Sequence, residues 1–229
     1  MLIKEFIKAQ RFLISNHNKE SLKYLYNRGF TDETIKKFGI GYNDDFKLFN
    51  TTDIRNCITV PYYDMRNRIV AYYCRSIDKD ADMKHMSSLN YPLLYEKGRM
   101  FYNLNQVIHE YYNGTVFIVE GQLDCISMDQ IGFHNTIAIC GNKMTQIQHE
   151  IIYRYFNKVY FVLDNDEPGK NVIKFWEDKE DAMHKYRKKY KNMILYKVQI
   201  AKDGMKDVND LLIAGVDVKK YFKKIRERL

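Results

Sequence analysis

From Thr115 onward the sequence alternates short apolar runs with stretches of helical periodicity, and this alternation narrows the possible folds more than any other feature of the 229 residues. Thr115–Val119, Thr136–Cys140, Val159–Leu163 and Met193–Ile200 are strand-length runs rich in Val, Ile, Phe and Tyr. Between them lie Leu123–Ile131, Thr145–Phe156 and Pro168–Tyr190, which have helical length and spacing, and further helices follow the last strand. Apolar strands joined by helices require crossover connections, so the sheet is expected to be mainly parallel, with helices on its faces. In such sheets chemistry collects in the crevice beyond the carboxyl ends of the strands.

The first half reads differently. Apolar positions three and four apart (Leu2, Phe6, Ile7; Leu22, Leu25, Tyr26) predict two amphipathic helices within residues 2–28, ended by Gly29. A third helix is expected between an N-cap at Thr31, with Asp32 and Glu33 in its first turn, and a stop at Gly39. Cys57–Asp64 and Arg68–Ile77 are β-rich and flank Met65-Arg66-Asn67, which predicts a hairpin in a small antiparallel sheet. Residues 78–114 read as a polar connector carrying Lys97-Gly98-Arg99, with a short helix from Asn103 to Tyr112. The expected class is therefore α/β: a mixed α+β, basic amino-terminal subdomain over residues 1–114, then a Rossmann-like, mainly parallel sheet flanked by helices over 115–229.

A formal net charge of +8 favours a polyanionic partner, because each phosphate contact to Lys or Arg releases condensed counterions. The four cysteines, Cys57, Cys74, Cys125 and Cys140, include no C-x-x-C pair, so neither a zinc site nor a disulfide is expected; they read as small buried hydrophobes in a reducing cytosol. No run approaches the ~20 apolar residues of a membrane span, and the expected location is the cytoplasm, with no membrane partner.

Three polar clusters fall where strands hand over to helices. The first strand ends in Val119-Glu120-Gly121, with Asp124 in the first turn of the next helix. Taken singly, Glu120 reads as a solvated loop acid and Asp124 as a complement to the helix dipole. The third strand runs into Leu163-Asp164-Asn165-Asp166-Glu167-Pro168-Gly169, and in an extended segment Asp164 and Asp166 project to the same side. An N-cap for the following helix explains one of the two aspartates; two adjacent carboxylates call for a divalent cation, which takes hard oxygen ligands. The last cluster is Lys206-Asp207-Val208-Asn209-Asp210, on a loop entering a helix. A parallel sheet brings such junctions together in space. Two metals so held lower the pKa of an attacking hydroxyl and stabilise the leaving oxygens of an in-line phosphoryl displacement, and Glu120 at the rim supplies a proton acceptor or donor.

These residues resemble the TOPRIM pattern: a Glu ending the first strand (Glu120), a D-x-D after a later strand (Asp164, Asp166) and a further acidic motif. The flanks resemble bacterial and phage DnaG-type primases. VEGQLDC is similar to their E-G-x-x-D, LDNDEPGK to D-x-D-x-x-G and KDVNDLL to K-D-P-D-x-L. Upstream, YLYNRGFTDETIKKFGIGY, ITVPYYDMRNRIVAYYCRSI, MKHMSS and EKGRMFYNL resemble further family segments, so the resemblance covers roughly residues 20–213.

The resemblance implies a primase core that makes short RNA primers on single-stranded DNA from ribonucleotide triphosphates, using two or more Mg2+ or Mn2+ ions. It implies metal ligands at Glu120, Asp164, Asp166, Asp207 and Asn209, with Asp124 and Asp210 as further acids. Glu120, Asp164 and Asp166 are the implied catalytic set. Arg75, Lys84, Lys97 and Arg99 fall in the family's basic segments, and Lys143 follows Gly141 in a piece similar to its G-T-x-L-T, which points to phosphate contacts at Arg75, Lys84, Arg99 and Lys143. Asn209 departs from the pattern, standing where the family has a second acid. The family's zinc-ribbon and helicase-binding domains have no counterpart in the chain, so the expectation is a core fragment or a reduced form from a phage or mobile element, with a replicative helicase or a zinc-domain partner acting in trans. Two alternatives stand beside this reading: TOPRIM nuclease or topoisomerase chemistry, and a non-catalytic single-strand-binding module whose stacking surfaces come from some of the 19 tyrosines.

Overall fold

The computed structural model describes residues 7, 9–11, 13, 19–46, 54–78, 80, 85–87, 95–141, 143–164, 169, 172–173, 193–198, 200, 204–205 and 207–228, with backbone only at 44–46, 54–55, 85–87 and 225. These residues form two compact units, Met1–Glu96 and Lys97–Leu229. Residues 97–114, read from sequence as a connector, share the second unit.

In the first unit, α1 (Lys19–Asn27) stops where Gly29 takes a positive φ of 78°, which lets Phe30 N–H reach back to Leu25 O at 3.1 Å. The same device ends α2 (Asp32–Lys37): Gly39 has φ 62° and Ile40 N–H bonds Ile35 O at 3.0 Å. At its start Thr31 accepts from Thr34 N–H, the N-cap expected from sequence. Leu25, Phe30, Ile35, Phe38 and Ile40 are buried. The sheet is antiparallel, in the order β1 (Gly41–Phe46), β2 (Ile54–Tyr63), β3 (Ile69–Ser76), β4 (His85–Ser87). The β2–β3 hairpin is closed by Asp64, whose carboxylate accepts from the N–H groups of Arg66 and Arg68, both at 2.9 Å, and pairs with the Arg68 guanidinium at 2.7 Å. β1 and β4 were not expected: GYNDDF is poor in strand formers, and ladder pairing overrides its local preference.

In the second unit a short 3-10 turn (Lys97–Arg99) and α3 (Leu104–Glu110) precede the alternating part. There β5 (Thr115–Val119), α4 (Gln122–Gln130), β6 (Thr136–Ala138), α5 (Gln146–Tyr155), β7 (Lys158–Phe161) and β8 (Ile194–Val198) follow in the anticipated order. Next come α6 (Val208–Ile213), α7 (Val218–Ile225) and an edge strand, β9 (Arg226–Arg228), where only helices were expected. The strand order is β6-β5-β7-β8-β9, parallel throughout except for β9. Of the long helix expected over 168–190, Gly169, Val172 and Ile173 are described and are helical; the remainder lies outside the described residues.

Alternation along the strands sends side chains to two packed faces. Val116, Ile118, Val159, Phe161 and Leu195 share a core with Val107, Ile152 and Phe156. On the other face Phe117, Tyr160 and Tyr196 stand in register and stack at centroid separations of 4.7 Å, with Phe133 edge-on to Phe117 and Phe222 against Phe133. The four cysteines are buried and form no disulfide. No helix among the described residues is long and apolar enough to cross a membrane.

His149 lies on the inner side of α5 at 6% exposure, and burial pushes its imidazole down to about 4. The unfolded chain takes up that proton near pH 6.5 while the folded one refuses it until about pH 4. Its contribution to stability is therefore complete above pH 6.5 and is lost as pH falls through that window, by on the order of 3 kcal/mol. Urea midpoints measured at pH 7.5, 5.5 and 4.5 should fall more steeply for the wild type than for His149→Gln.

Candidate metal centre

The centre is set by two neighbouring strands that end at the same level. The register pairs Ile118 of β5 with Phe161 of β7, and the last ladder bond across them runs from Val162 N–H to Ile118 O at 2.8 Å. Past that bond the Asp164 N–H has left the ladder, and it donates to Glu120 Oε1 at 3.0 Å. One sequence-predicted acid thus accepts from the backbone of another, and both are half-buried. On the opposite side of β5, Cys140 N–H bonds Glu120 O at 2.8 Å, which holds the Glu120 backbone between β6 and β7.

Gly169 closes the floor of this crevice. A Cβ added there would lie 2.3 Å from Asp164 O and 2.8 Å from Glu120 Oε1, so the opening turn of the following helix reaches the two acids only because position 169 has no side chain. Asp124 turns back over the start of α4, where a Cβ on Gly121 would stand 2.9 Å from its Oδ2. The amino end of α4 therefore carries an acid complementing its dipole, next to Glu120 in the chain.

The described residues hold no cluster of three or more His, Cys, Asp or Glu able to bind a metal, and Asp166, the second member of the D-x-D, lies outside them. The visible donor, the Glu120 carboxylate held by the Asp164 N–H beside a cradle that a Cβ would fill, offers the hard oxygens that a cation such as Mg2+ or Mn2+ takes.

The third cluster divides its labour. Asp207 caps α6, accepting from Asp210 N–H at 2.9 Å. Asn209 is buried and its Nδ2 donates to Ser127 Oγ of α4 at 3.1 Å, while Ser127 donates its own proton to Leu123 O at 3.0 Å. With the hydroxyl proton used, Ser127 Oγ can only accept, so an amide fits at 209 where a carboxylate would face lone pairs. The departure from the family motif is thereby explained as packing: Asn209 ties α6 to α4.

The basic residues fall in both units. In the first, Arg75 is half-buried and hydrogen-bonded to Tyr24 and Tyr73. Burial pulls its guanidinium down, but the two phenols outweigh that and raise it, while burial pushes Tyr73 up to about 12. Arg28, which sequence reasoning did not single out, donates from Nε to Tyr24 OH at 2.9 Å with its Cζ 5.1 Å from the ring centroid. Two guanidinium groups thus gather on one tyrosine; the available signal was the R-G step of the Tyr24–Gly29 segment. Lys84 lies outside the described residues. In the second unit Arg99 and Lys143 are exposed and belong to segments joined at the start of α5. There Thr145 Oγ1 donates to Gly98 O and caps α5 in a reciprocal box with Gln148, whose amide donates to Met100 O at 2.8 Å and Ile139 O at 3.3 Å.

A Toprim-like family profile matches residues 117–212, the span that contains all of these acids. Across the whole chain the fold matches that of the DnaG catalytic core, with a TM-score of 0.80, 20% identity and coverage of 99% of this chain and 79% of that one. The chain has the fold of a DnaG catalytic core and carries a Toprim-like domain. The structure of a DnaG primase catalytic domain bound to ssDNA is similar at a TM-score of 0.79, 19% identity and coverage of 98% and 77%. Among curated relatives, the DNA primase of Clostridium acetobutylicum is 28% identical over 192 residues, covering 71% of this chain and 32% of the relative. That of Campylobacter jejuni is 30% identical over 181 residues, covering 67% and 30%. The chain therefore spans about a third of the length of the curated relatives it matches.

Gly169→Ala should drive the helix start away from Asp164 and Glu120 and weaken divalent-cation binding about tenfold or more, with overall fold retained. Isothermal titration with Mn2+ alongside circular dichroism reads both; unchanged Mn2+ affinity would separate Gly169 from the site.

Proposed function

We propose that this chain synthesises short RNA primers on a single-stranded DNA template from ribonucleotide triphosphates, as a metal-dependent nucleotidyltransferase. The observation that carries this reading is the meeting of Glu120 and Asp164 at the carboxyl ends of adjacent parallel strands, within a chain that has the DnaG-core fold. Relatives named DNA primase, and a DnaG catalytic domain bound to ssDNA, support the choice of reaction and template.

Asp164, Asp166, Asp207 and Glu120 would hold Mg2+ or Mn2+ in this reading. When bound, such ions lower the pKa of the attacking hydroxyl and stabilise the leaving phosphate oxygens. Glu120, oriented by the Asp164 N–H, takes or returns the proton at the rim. Asn209 keeps α6, and with it Asp207, against α4. Arg28 and Arg75 bind template phosphates, as do Lys84, Lys97 and Arg99 in their basic segments; Lys143 binds the triphosphate of the incoming nucleotide. The functional division is a basic template-tracking half, residues 1–114, and a metal-binding half, residues 115–229. A replicative helicase and a zinc-domain partner acting in trans complete initiation, in the cytoplasm of the cell in which the chain is made.

Incubation with single-stranded DNA, ribonucleotide triphosphates and Mg2+ or Mn2+ should yield short RNA on a denaturing gel. Strand cutting with no RNA on any template would replace this reading by TOPRIM nuclease chemistry. Asp164→Ala should lower synthesis by about a thousandfold or more, as expected for loss of a metal ligand, and leave DNA affinity within about threefold. Arg28→Gln and Arg75→Gln should each flatten the dependence of log affinity for single-stranded DNA on log salt by about 0.7; an unaltered slope would remove that residue from the phosphate contacts.

A further inference from the structure

The stretch from Asp217 to Arg228 carries six cations, Lys219, Lys220, Lys223, Lys224, Arg226 and Arg228, against two acids, Asp217 and Glu227. α7 itself contains no acid, so Lys220, Lys223 and Lys224, spaced three and four apart on one face, repel one another with no opposite charge at those spacings within the helix. These three lysines, Arg226 and Arg228 are exposed, and no ion pair to them is found among the described residues. Lys219 has a different role: its Nζ rests over Gly132, where an added Cβ would stand 3.0 Å away, at the carboxyl end of α4.

Positive charge alone would suit an acidic lipid surface, an acidic protein or a nucleic acid. The opposite face of α7 decides between them. Val218 and Phe222 are buried, with the Phe222 ring 5.4 Å from that of Phe133, so the apolar stripe needed to enter a bilayer or seat a partner helix is already covered by the protein's own core. What faces outward is a cationic ridge, the complement of a phosphodiester backbone. Charges on an edge strand also discourage edge-to-edge pairing, which accounts for Arg226 and Arg228 but not for the three lysines of the helix.

The topology puts this ridge at the acid end of the sheet. Ile118, Phe161, Lys197 and Glu227 form one row across β5, β7, β8 and β9. One step from the row toward the strand carboxyl ends reaches Val198 and its partner Arg226; in the same direction Glu120 lies two residues beyond Ile118 and Asp164 three beyond Phe161. Arg226 and the last turn of α7 are therefore two strand positions from β7 and three from β5, about 10–15 Å to the side of the acid pair. That distance is roughly three or four steps of a nucleic-acid duplex.

We propose that α7 and β9 form a second nucleic-acid interface, which grips the phosphodiester backbone of a strand or nascent duplex beside the acid crevice. The inference rests on the reading of that crevice as a site that acts on nucleic acid, and it adds a binding surface which the motif residues do not include. Fluorescence anisotropy of a labelled oligonucleotide over a salt series, with no ribonucleotides present, tests it; one arm uses a single strand and a second a DNA–RNA hybrid.

The variant Lys220→Gln/Lys223→Gln/Lys224→Gln should bind about 10- to 100-fold more weakly near 0.1 M salt and lose roughly two units of log–log salt slope on the single strand. Lys220→Arg/Lys223→Arg/Lys224→Arg should restore both. The control Arg154→Gln removes a charge from an exposed position of the second unit that belongs to neither proposed contact; an equal loss per charge removed there would reduce the effect to net charge and overturn the proposal. So would wild-type binding to neither oligonucleotide, or capture by phosphatidylserine vesicles instead. Superimposable melting curves keep the comparison free of folding defects. A wild type that makes no primers while the glutamine variant still loses affinity would retire the proposed reaction alone; a wild type that makes primers beside a variant binding at full strength would retire this interface alone.

Discussion

Parallel pairing of β5 with β7 is the constraint on which the rest of the site depends. Because both strands run the same way and in register, their carboxyl ends finish side by side, and the first N–H to leave the ladder, that of Asp164, needs an acceptor. Glu120 supplies it. A backbone donor that would otherwise be stranded at the sheet end is thus satisfied by the Glu120 side chain, and that bond orients its carboxylate. Gly169 belongs to the same constraint, since the following helix can start this close to Asp164 O only without a Cβ.

Around this point the second unit uses polar contacts sparingly and in places where they fix direction. Gln148 bonds two carbonyls and completes a capping box, joining the Lys97–Arg99 turn to α5. Asn209 does the corresponding work between α6 and α4, and its neutral amide follows from the hydrogen-bond polarity of Ser127. In the first unit Tyr24 gathers Arg28 and Arg75, so that charges contributed by a helix and a strand stand together. Each is a short-range device that aims charged groups, and the apolar core supplies the rigidity behind it.

Much of this was legible in the residues. The apolar runs beginning at Thr115, Thr136, Val159 and Met193 became strands in that order because their burial on both faces leaves a continuous signal. Thr31, Gly29 and Gly39 marked helix ends through capping chemistry that acts within a few residues. β1, β4 and β9 were not legible: Asn43, Asp44, Asp45 and the Arg226–Arg228 run have no strand preference of their own and are strands because a neighbour offers a ladder. Arg28 escaped notice for a similar reason, as its significance comes from Tyr24 and Arg75, the second of them 47 positions away.

The sequence by itself determined the strand–helix alternation, the ends of the helices and the identity of the acids, because periodicity, capping and motif spacing are local properties of the chain. Tertiary structure decided which acids meet, why position 209 is an amide, and that the carboxy-terminal lysines and arginines end beside the sheet's acid end. Those outcomes depend on register between strands distant in the chain and on which face of each helix the core has already claimed, and neither quantity is set by any one segment alone.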